Sequence, residues 1–274
     1  MGKNKPNGTA RDKGLALHAD RHVLYQDSVQ CVEAEIDFVD DTYKKLRGSR
    51  ARILREDFCG TANTACEWVR RRANNQAFGV DLDEEVLAWG ETNNIAALGK
   101  AANRITLLCD DVTRVKTIPL DVVLAMNFSY WIFKQRTTLR RYFRRVREAL
   151  ASDGLFILDC YGGYEAFKET KERAKYDGFS YIWDQAAYNP ITGDMRCHIH
   201  FKFPDGSYLK KAFTYDWRLW TLPELAELLA EAGFSRSAVY WQGTGDDGES
   251  NGEFTATSVG EADAAWIAYV VAEK

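Results

Sequence analysis

The hydrophobic pattern of the chain changes period after about fifty residues, and this change predicts where the central fold begins. From Arg21 to Lys45 apolar residues recur at intervals of three and four, which predicts one or two helices. Short apolar runs of strand length then alternate with segments of helical spacing. The five runs are Ala51 to Arg55, Ala77 to Val80, Ile105 to Cys109, Val122 to Met126 and Leu155 to Asp159. Strands that alternate with helices form parallel sheets, so we expect an α/β fold with a doubly wound, mostly parallel sheet and an N-terminal helical cap.

The alternation stops after Gly163, and the pattern becomes that of antiparallel strands. Residues 179 to 220 contain strand-like runs with turn residues at Asn189-Pro190 and at Pro204 to Gly206. Thr221, with Glu224 three residues later, predicts a helix start, and Gly233 predicts its end. Two strand-like runs follow, at 238 to 241 and 266 to 271, joined by a Gly-rich acidic loop. We therefore expect a flexible leader over 1–20, one domain over 21–163 and 221–274, and an inserted antiparallel lid or substrate subdomain over 164–220.

Composition narrows the class of protein. The 274 residues are 46% hydrophobic and 28% charged, which is typical of a globular chain, and the net charge of -4 disfavours a broadly basic nucleic-acid-binding protein. No apolar run approaches the roughly 20 residues that a spanning helix needs, and residues 1–20 lack the apolar core of a secretory signal. Six cysteines without a CxxC pair indicate reduced thiols rather than a zinc site. These features predict a cytoplasmic protein without a membrane or metal partner; a homodimer is compatible with them.

Seven basic residues and no acid lie between 134 and 147, and two interpretations of this segment are open. It could bind RNA or DNA, or it could be the solvated face of a helix. Leu139, Phe143, Val146 and Leu150 follow one another at steps of four, three and four, which is the buried stripe of a helix. The spacing favours the solvated face, so we do not expect a nucleic-acid partner.

Polar side chains follow four successive runs at the points where the strands should end. The first run leads into Glu56 and a turn that contains Gly60, but the Gly-rich template GxGxxG is met by only this one glycine. Asp81 follows the second run, 21 residues after Gly60, where an acid can accept both ribose hydroxyl protons of a nucleotide. Asp111 follows the third run and Asn127 the fourth. Because parallel sheets bind ligands at the carboxyl ends of their strands, this series predicts an adenosyl-binding site.

These motifs make Ala51 to Cys160 resemble the class I S-adenosylmethionine-dependent methyltransferases, whose fold is Rossmann-like. In that family the first strand ends in an acid before a turn of the type D/E-x-G-x-G-x-G. Glu56, Phe58, Gly60 and Ala62 match those positions, with two of the three glycines replaced. The Leu24-Tyr25-Gln26-Asp27 segment is similar to N-terminal segments of small-molecule members that resemble glycine N-methyltransferase.

The resemblance implies roles for individual residues. The turn would hold the methionine part of S-adenosylmethionine, Asp81 the ribose, Asp111 and Val112 the adenine, and Asn127 and Phe128 the region of the sulfonium. The residues that we expect to bind the cofactor are Tyr25, Arg55, Glu56, Phe58, Cys59, Gly60, Ala62, Asp81, Leu82, Asp111, Val112, Asn127 and Phe128. Those that we expect near the reacting atoms are Asn127, Tyr130, Tyr161 and His200, and the last three are candidates for a general base among which the sequence does not choose.

Several of these residues also have a purely structural interpretation. An acid at a strand end can cap the following helix, which applies to Asp81, Asp83 and Asp111. Arg55 either pairs with Glu56 or Asp57, which is the favoured interpretation, or meets the carboxylate of the donor. His198 and His200 share one strand face, which we expect to be exposed or to contact substrate from a lid.

The sequence therefore predicts an enzyme that transfers a methyl group from S-adenosylmethionine to a small-molecule N, O or S nucleophile. Eleven aromatic residues between 179 and 220 suggest that the insert is a lid that also forms the acceptor pocket. Three alternatives are a protein or nucleic-acid methyltransferase, a dinucleotide-dependent oxidoreductase and a non-catalytic adenosyl-binding module.

Overall fold

The computed structural model describes residues 14–245 and 250–274, and within them the chain forms two compact units. The larger unit comprises Cys31–Lys168, Asn189–Asp194 and Trp217–Lys274. The smaller unit comprises the described part of Met1–Gln30 together with Glu169–Tyr188 and Met195–Asp216. Each unit has its own buried apolar cluster.

Seven α-helices and twelve strands are present in the described residues. The helices are α1 (Leu15–His18), α2 (Arg21–Val29), α3 (Val32–Arg47), α4 (Asn63–Arg71), α5 (Glu84–Gly90), α6 (Arg136–Ala149) and α7 (Leu222–Ala232). The strands are β1 (Ile53–Asp57), β2 (Gln76–Asp81), β3 (Ile105–Cys109), β4 (Leu120–Ala125), β5 (Leu150–Gly162), β6 (Thr170–Tyr176), β7 (Phe179–Tyr188), β8 (Asp194–Lys202), β9 (Tyr208–Arg218), β10 (Arg236–Thr244), β11 (Ser250–Thr257) and β12 (Trp266–Glu273). A π-helical turn and a 3-10 helix, over 91–104, extend α5 toward β3.

The larger unit contains an eight-stranded sheet in the order β11-β10-β12-β5-β4-β1-β2-β3. Strands β1 to β5 pair in parallel, whereas β12, β10 and β11 pair antiparallel at the other side of the sheet. The central strands β1 and β4 are almost continuously buried, as expected for strands covered on both faces. Their carboxyl ends therefore open at one edge of a rigid, buried scaffold.

The smaller unit contains a four-stranded antiparallel sheet in the order β6-β7-β8-β9. Its apolar cluster includes Ile199 and Phe201 from β8 and also Leu24 from α2. Helix α2 belongs to this unit because its buried side chain packs there, although the sequence pattern joins residues 21–30 to the larger domain.

The predicted fold class is confirmed, and so are the five parallel strands. Helix α7 has the expected start, because the Thr221 and Glu224 side chains form a reciprocal capping box, and Gly233 ends it in the left-handed conformation. Within the predicted leader, residues 15–18 form α1, while residues 1–13 lie outside the described residues. Residues 246–249 of the acidic loop also lie outside them.

Strands β6 and β11 were not predicted, and their positions explain why. Each is the edge strand of its sheet, and most of its side chains are exposed on both faces. An edge strand that is solvated on both faces needs no alternation of apolar and polar residues, and charges there discourage pairing with other chains. Among the described residues, no helix is both long and apolar enough to cross a bilayer.

The basic segment forms α6, whose buried residues are Leu139, Tyr142, Phe143 and Val146. Arg136 and Arg140 pair with Glu231 on α7, and Arg145 pairs with Glu148 on α6 itself. The helix therefore places its apolar stripe in the core and several of its arginines in ion pairs.

Candidate functional site

The turn after β1 has three residues in the left-handed region although only one of them is glycine. Phe58, Gly60 and Ala62 have φ angles of 59°, 51° and 55°, which lie in the left-handed region. For a residue with a Cβ this conformation costs roughly 1 to 2 kcal/mol. Phe58 and Ala62 stand at the two positions where the family pattern has glycine. The turn therefore carries backbone strain at two residues that have a Cβ, and such strain is often found at functional sites.

Asp81 at the end of β2 holds this turn in place. Its Oδ2 accepts a hydrogen bond from the Gly60 N–H at 2.8 Å, and its Oδ1 accepts one from the Asp83 N–H at 3.0 Å. A Cβ on Gly79, two residues earlier, would lie 2.9 Å from the Cys59 Sγ, so the strand and the turn approach each other closely. The geometry places the carboxylate that sequence spacing predicted directly beside the turn.

Buried carboxyl groups lie beneath the same turn, at the start of α4. The Glu56 Oε2 accepts a hydrogen bond from the Ala65 N–H at 3.0 Å, and burial raises the pKa of this carboxyl to about 8. The Thr64 hydroxyl donates to Glu35 on α3, and burial raises the pKa of Glu35 to about 7. Negative charge at a helix N-terminus is favoured by the helix dipole, but here it is opposed by burial and by the repulsion between the two acids.

The turn after β4 is built in the same way. Asn127 and Phe128 both have φ angles of 57°. Their N–H groups donate to the two carboxylate oxygens of Asp159 on β5, at 2.7 and 2.9 Å. Asp159 is only 6% exposed, and burial raises the pKa of its carboxyl to about 8. The adjacent strand therefore fixes two consecutive left-handed residues.

Aromatic rings surround this second turn. The Phe128 ring centroid lies 4.7 Å from that of Tyr161 and 5.4 Å from that of Trp131. Trp217 lies 5.9 Å from Trp131, and both tryptophans are buried. Such a group of rings excludes water and presents faces that stabilise cations.

The carboxyl group that follows β3 stabilises a turn and, in contrast to Glu56 and Asp159, is not buried. The Asp111 Oδ1 accepts a hydrogen bond from the Thr113 N–H at 2.8 Å. Partial burial alone would raise the pKa of this carboxyl, but the hydrogen bonds from Thr113 lower it below its usual value. Val112 is buried, whereas Leu82 after β2 is exposed. Asp83 has the alternative role foreseen for strand-end acids, because it caps α5 through the N–H groups of its first turn.

Arg55 forms the ion pair that was the favoured interpretation. Its Nε and Nη2 donate to the two oxygens of Asp57 at 2.7 and 3.0 Å. The Tyr142 hydroxyl donates to the same carboxylate at 2.8 Å. The pair is buried between β1 and α6, and this disfavours Arg55 as a ligand for the donor.

The candidates for a general base are differently placed. Tyr130 is fully buried and its hydroxyl donates to the Asp159 carbonyl at 2.7 Å, while burial holds its pKa well above the usual value. The His200 Nδ1 accepts from the Lys211 N–H, which leaves Nε2 to donate to Asp184 at 3.1 Å. The His200 imidazole therefore has no free lone pair, and the Tyr130 phenol stays protonated on the Asp159 carbonyl, so neither group is suited to accept a substrate proton. Tyr161 is partly exposed beside Phe128.

The expected exposed histidine face is wrong, because both imidazoles are buried in the smaller unit and His198 contacts the Thr214 hydroxyl at 2.9 Å. Tyr25 also belongs to that unit, where its ring centroid lies 4.9 Å from that of Phe213.

Two residues of the site were not predicted. Asp159 ends the fifth apolar run and carries the same signal as the other strand-end acids, but the run alone gives it no role beyond the strand. Glu35 lies on α3 between Val32 and Val39, at a spacing that puts it on the buried stripe. A charge on an apolar helix face was the available signal.

Comparisons with known proteins define the class of fold. Many solved structures match the chain, and S-adenosylmethionine-dependent methyltransferases of the class I fold are among them. The identities of 14 to 16% in these matches show the fold alone.

Three of these structures illustrate the similarity. An S-adenosylmethionine-dependent methyltransferase from Clostridium acetobutylicum is 16% identical, with a TM-score of 0.66 over 91% of this chain and 96% of that one. An amino pentose methyltransferase from Micromonospora echinaspora is 14% identical, with a TM-score of 0.64 over 92% and 96%. A sugar N-methyltransferase from Streptoalloteichus is 16% identical, with a TM-score of 0.61 over 98% of each chain. No protein-family model and no curated protein matches the sequence.

Proposed function

We propose that this chain is a methyltransferase that transfers a methyl group from S-adenosylmethionine to a small-molecule N, O or S nucleophile. The observation that carries the proposal is the pair formed by the left-handed turn at Phe58 to Ala62 and the Asp81 carboxylate bonded to Gly60. A backbone turn closed by a strand-end acid is the arrangement that holds an adenosyl group in sheets of this kind. The fold shared with solved methyltransferases supports the same function.

The residues at the sheet edge fit a donor that carries a ribose and a positive charge. In the proposed arrangement Asp81 holds the ribose hydroxyls, Asp111 and Val112 hold the adenine, and the turn at Gly60 holds the methionine part. Glu56 and Asp159 are buried carboxyls with pKa values raised to about 8, and a nearby cation would favour their charged forms. When bound, S-adenosylmethionine supplies an electrophilic methyl group on a sulfonium.

The work of the protein in this mechanism is alignment and exclusion of water. Methyl transfer is an in-line displacement, so a nucleophile held in the right orientation gains most of the available acceleration. Asn127 and Phe128, whose backbone is held by Asp159, would line one side of the reaction site. The rings of Phe128, Tyr161 and Trp131 would exclude water from it. An amine acceptor that arrives neutral needs no base. For an acidic acceptor we favour Tyr161 because it is partly exposed beside Phe128.

The finer predictions extend this proposal. The segment 164–220 is proposed as a lid or substrate subdomain, the enzyme as cytoplasmic, and the acceptor as a small molecule rather than a protein or nucleic acid. A homodimer stays a prediction, and a non-catalytic adenosyl-binding module is the second candidate if the donor binds without turnover.

Calorimetry of the full chain with S-adenosylhomocysteine, S-adenosylmethionine and NAD tests the proposal. We expect both adenosyl compounds to bind and NAD not to bind. Asp81→Ala should weaken binding by roughly 10 to 100-fold, because it removes hydrogen bonds to a charged group. Asp121→Ala is the matched control, since this carboxylate also accepts backbone N–H bonds, from Arg52 and Ile53, but at the opposite end of the strands. Tight binding of NAD alone would refute the proposal, and an unchanged affinity of Asp81→Ala would refute the ribose role.

A further inference from the structure

A cavity lies in the larger unit, beyond the carboxyl end of β5. Its volume is about 380 Å³, which is within the range of small-molecule sites. Five aromatic side chains line it, together with Leu219, Leu222 and Pro223. The aromatic residues are Tyr161, Tyr164, Phe167, Trp220 and Trp266.

The walls of this cavity offer few polar groups. Thr221 lines the cavity, but its hydroxyl is occupied in the capping box of α7. Asp263 contributes its backbone carbonyl to the Tyr164 N–H. Tyr164 and Phe167 are 60% and 51% exposed, a large exposure for aromatic residues that lie three apart in one 3-10 turn. Exposed apolar groups that line a cavity mark a binding surface.

One residue connects the cavity to the candidate donor site. Tyr161 lines the cavity, and its ring centroid lies 4.7 Å from that of Phe128 and 4.8 Å from that of Trp131. Tyr161 also follows Asp159 by two residues on β5, on the same side of the strand. The cavity therefore opens beside the turn that we place next to the reacting methyl group.

Trp220 is one of the lining residues and carries a buried polar group. It is 1% exposed, and its indole N–H has no hydrogen-bond partner among the described residues. The Arg218 guanidinium carbon lies 3.9 Å from the Trp220 ring centroid and covers the ring. A buried donor without a partner is unfavourable, and an oxygen atom of a bound ligand would satisfy it.

We propose that this cavity binds the body of the methyl acceptor, and that the acceptor is an aromatic molecule whose ring system carries an oxygen acceptor for Trp220. The inference rests on the proposed function and names its substrate class. A polyhydroxylated sugar would lose water from several hydroxyls here without gaining partners, which is costly. An aromatic ring instead gains dispersion and edge-to-face contacts with the five lining rings.

Ligand-observed NMR titration of the full chain tests this with three probes. These are 1-indanone, which has a carbonyl oxygen, indane, which lacks it, and methyl α-D-glucosaminide. We expect saturable binding of 1-indanone, weaker binding of indane and none of the sugar. Saturating S-adenosylhomocysteine should not displace 1-indanone, because donor and acceptor must be bound together.

Variants locate the probe in the cavity. Trp220→Phe should weaken the binding of 1-indanone by roughly 3 to 10-fold, because it removes one hydrogen bond. The affinity for indane, which makes no such bond, should change by less than about twofold. Phe167→Ala changes an exposed side chain and should weaken both aromatic probes, which keeps the test decisive even where Trp220→Phe fails to fold. Ile118→Ala, at another exposed apolar side chain, is the control and should change neither affinity.

The outcomes separate the two proposals. Binding of S-adenosylhomocysteine without saturable binding of 1-indanone, or equal binding of the sugar, overturns the acceptor assignment and leaves the proposed function intact. Unchanged affinities in both cavity variants also overturn it. Binding of 1-indanone by a protein that does not bind S-adenosylhomocysteine overturns the proposed function, and the acceptor role with it.

Discussion

The turns after β1 and β4 are stabilised in the same way, but the carboxyl groups that stabilise them differ in burial. Each places residues with a side chain in the left-handed region, and in each a carboxylate from the neighbouring strand accepts backbone N–H bonds. Asp81 does this for the first turn from β2, and Asp159 does it for the second from β5. The two strands lie on opposite sides of the β1–β4 pair.

The difference lies in what else the carboxylate can do. Asp81 is partly exposed and accepts one bond from the turn and one from Asp83, so a ligand can also approach it. Asp159 is buried, and both of its oxygens serve Asn127 and Phe128. The carboxylate at the first turn is therefore accessible to the ligand that we propose, whereas the carboxyl at the second turn is used within the protein. Their substitutions should accordingly change different quantities.

The largest expected effect is that of Asp159→Ala. It removes the acceptors of the Asn127 and Phe128 N–H groups, which should lower the free energy of unfolding by about 3 kcal/mol at about pH 4, where the raised pKa of Asp159 still costs little stability. Asp81→Ala should lower it by about 1 kcal/mol, because water can replace the lost carboxylate at a partly exposed site. Urea unfolding of both variants measures the contrast. Equal losses of stability would contradict the division of roles between the two turns.

The next effect concerns Glu35, whose charge raises the pKa of both Glu56 and Asp159 and so links the two turns. The pKa of Glu35 itself is raised from 4.5 to about 7. The folded state therefore keeps a proton that the unfolded state has released, so this group's contribution to stability is lost as pH rises from 4.5 to about 7. Glu35→Gln removes that loss and should gain about 2 kcal/mol over the native chain between pH 4.5 and pH 8.

Thr64→Val, which removes the hydrogen bond between Thr64 and Glu35, should have the opposite effect on the loss of stability with pH. It removes the hydroxyl that lowers the pKa of Glu35, so stability should fall more steeply with pH and over a wider range. Chemical unfolding at pH 5, 6, 7 and 8 follows both variants. If Glu35→Gln and the native chain show parallel pH profiles, Glu35 is not the link between the turns.

The position of Asp81 beside the turn could be predicted from the sequence, whereas the contacts of Asp159 could not, and the reason is physical. Asp81 is tied to Gly60 by a spacing that one strand–helix–strand unit imposes, so local pattern is sufficient. The role of Asp159 depends on β5 lying beside β4 in register, which is a long-range property. In the same way the partners of Glu35 on α4 come from tertiary packing, although its position on the buried stripe of α3 was visible.

The limits of prediction for the fold follow the same rule. Buried strands such as β1 and β4 show apolar runs because both faces are covered, whereas the edge strands β6 and β11 show none. The candidates for a general base could be selected from the sequence only by residue type. The structure disfavours Tyr130 and His200 because their polar atoms are already paired within the protein.

The smallest expected effect tests the strain in the first turn directly. Ala62 has a φ of 55° and is fully buried, and glycine accepts this conformation without the steric cost of a Cβ. Glycine also increases the entropy of the unfolded chain, so Ala62→Gly should raise the free energy of unfolding by only about 0.5 kcal/mol. Ala65→Gly, three residues later inside α4, is the matched control and should lower it by about 1 kcal/mol. Urea unfolding should therefore give opposite signs for the same substitution, and losses of equal size would mean that the turn after β1 carries no strain at Ala62.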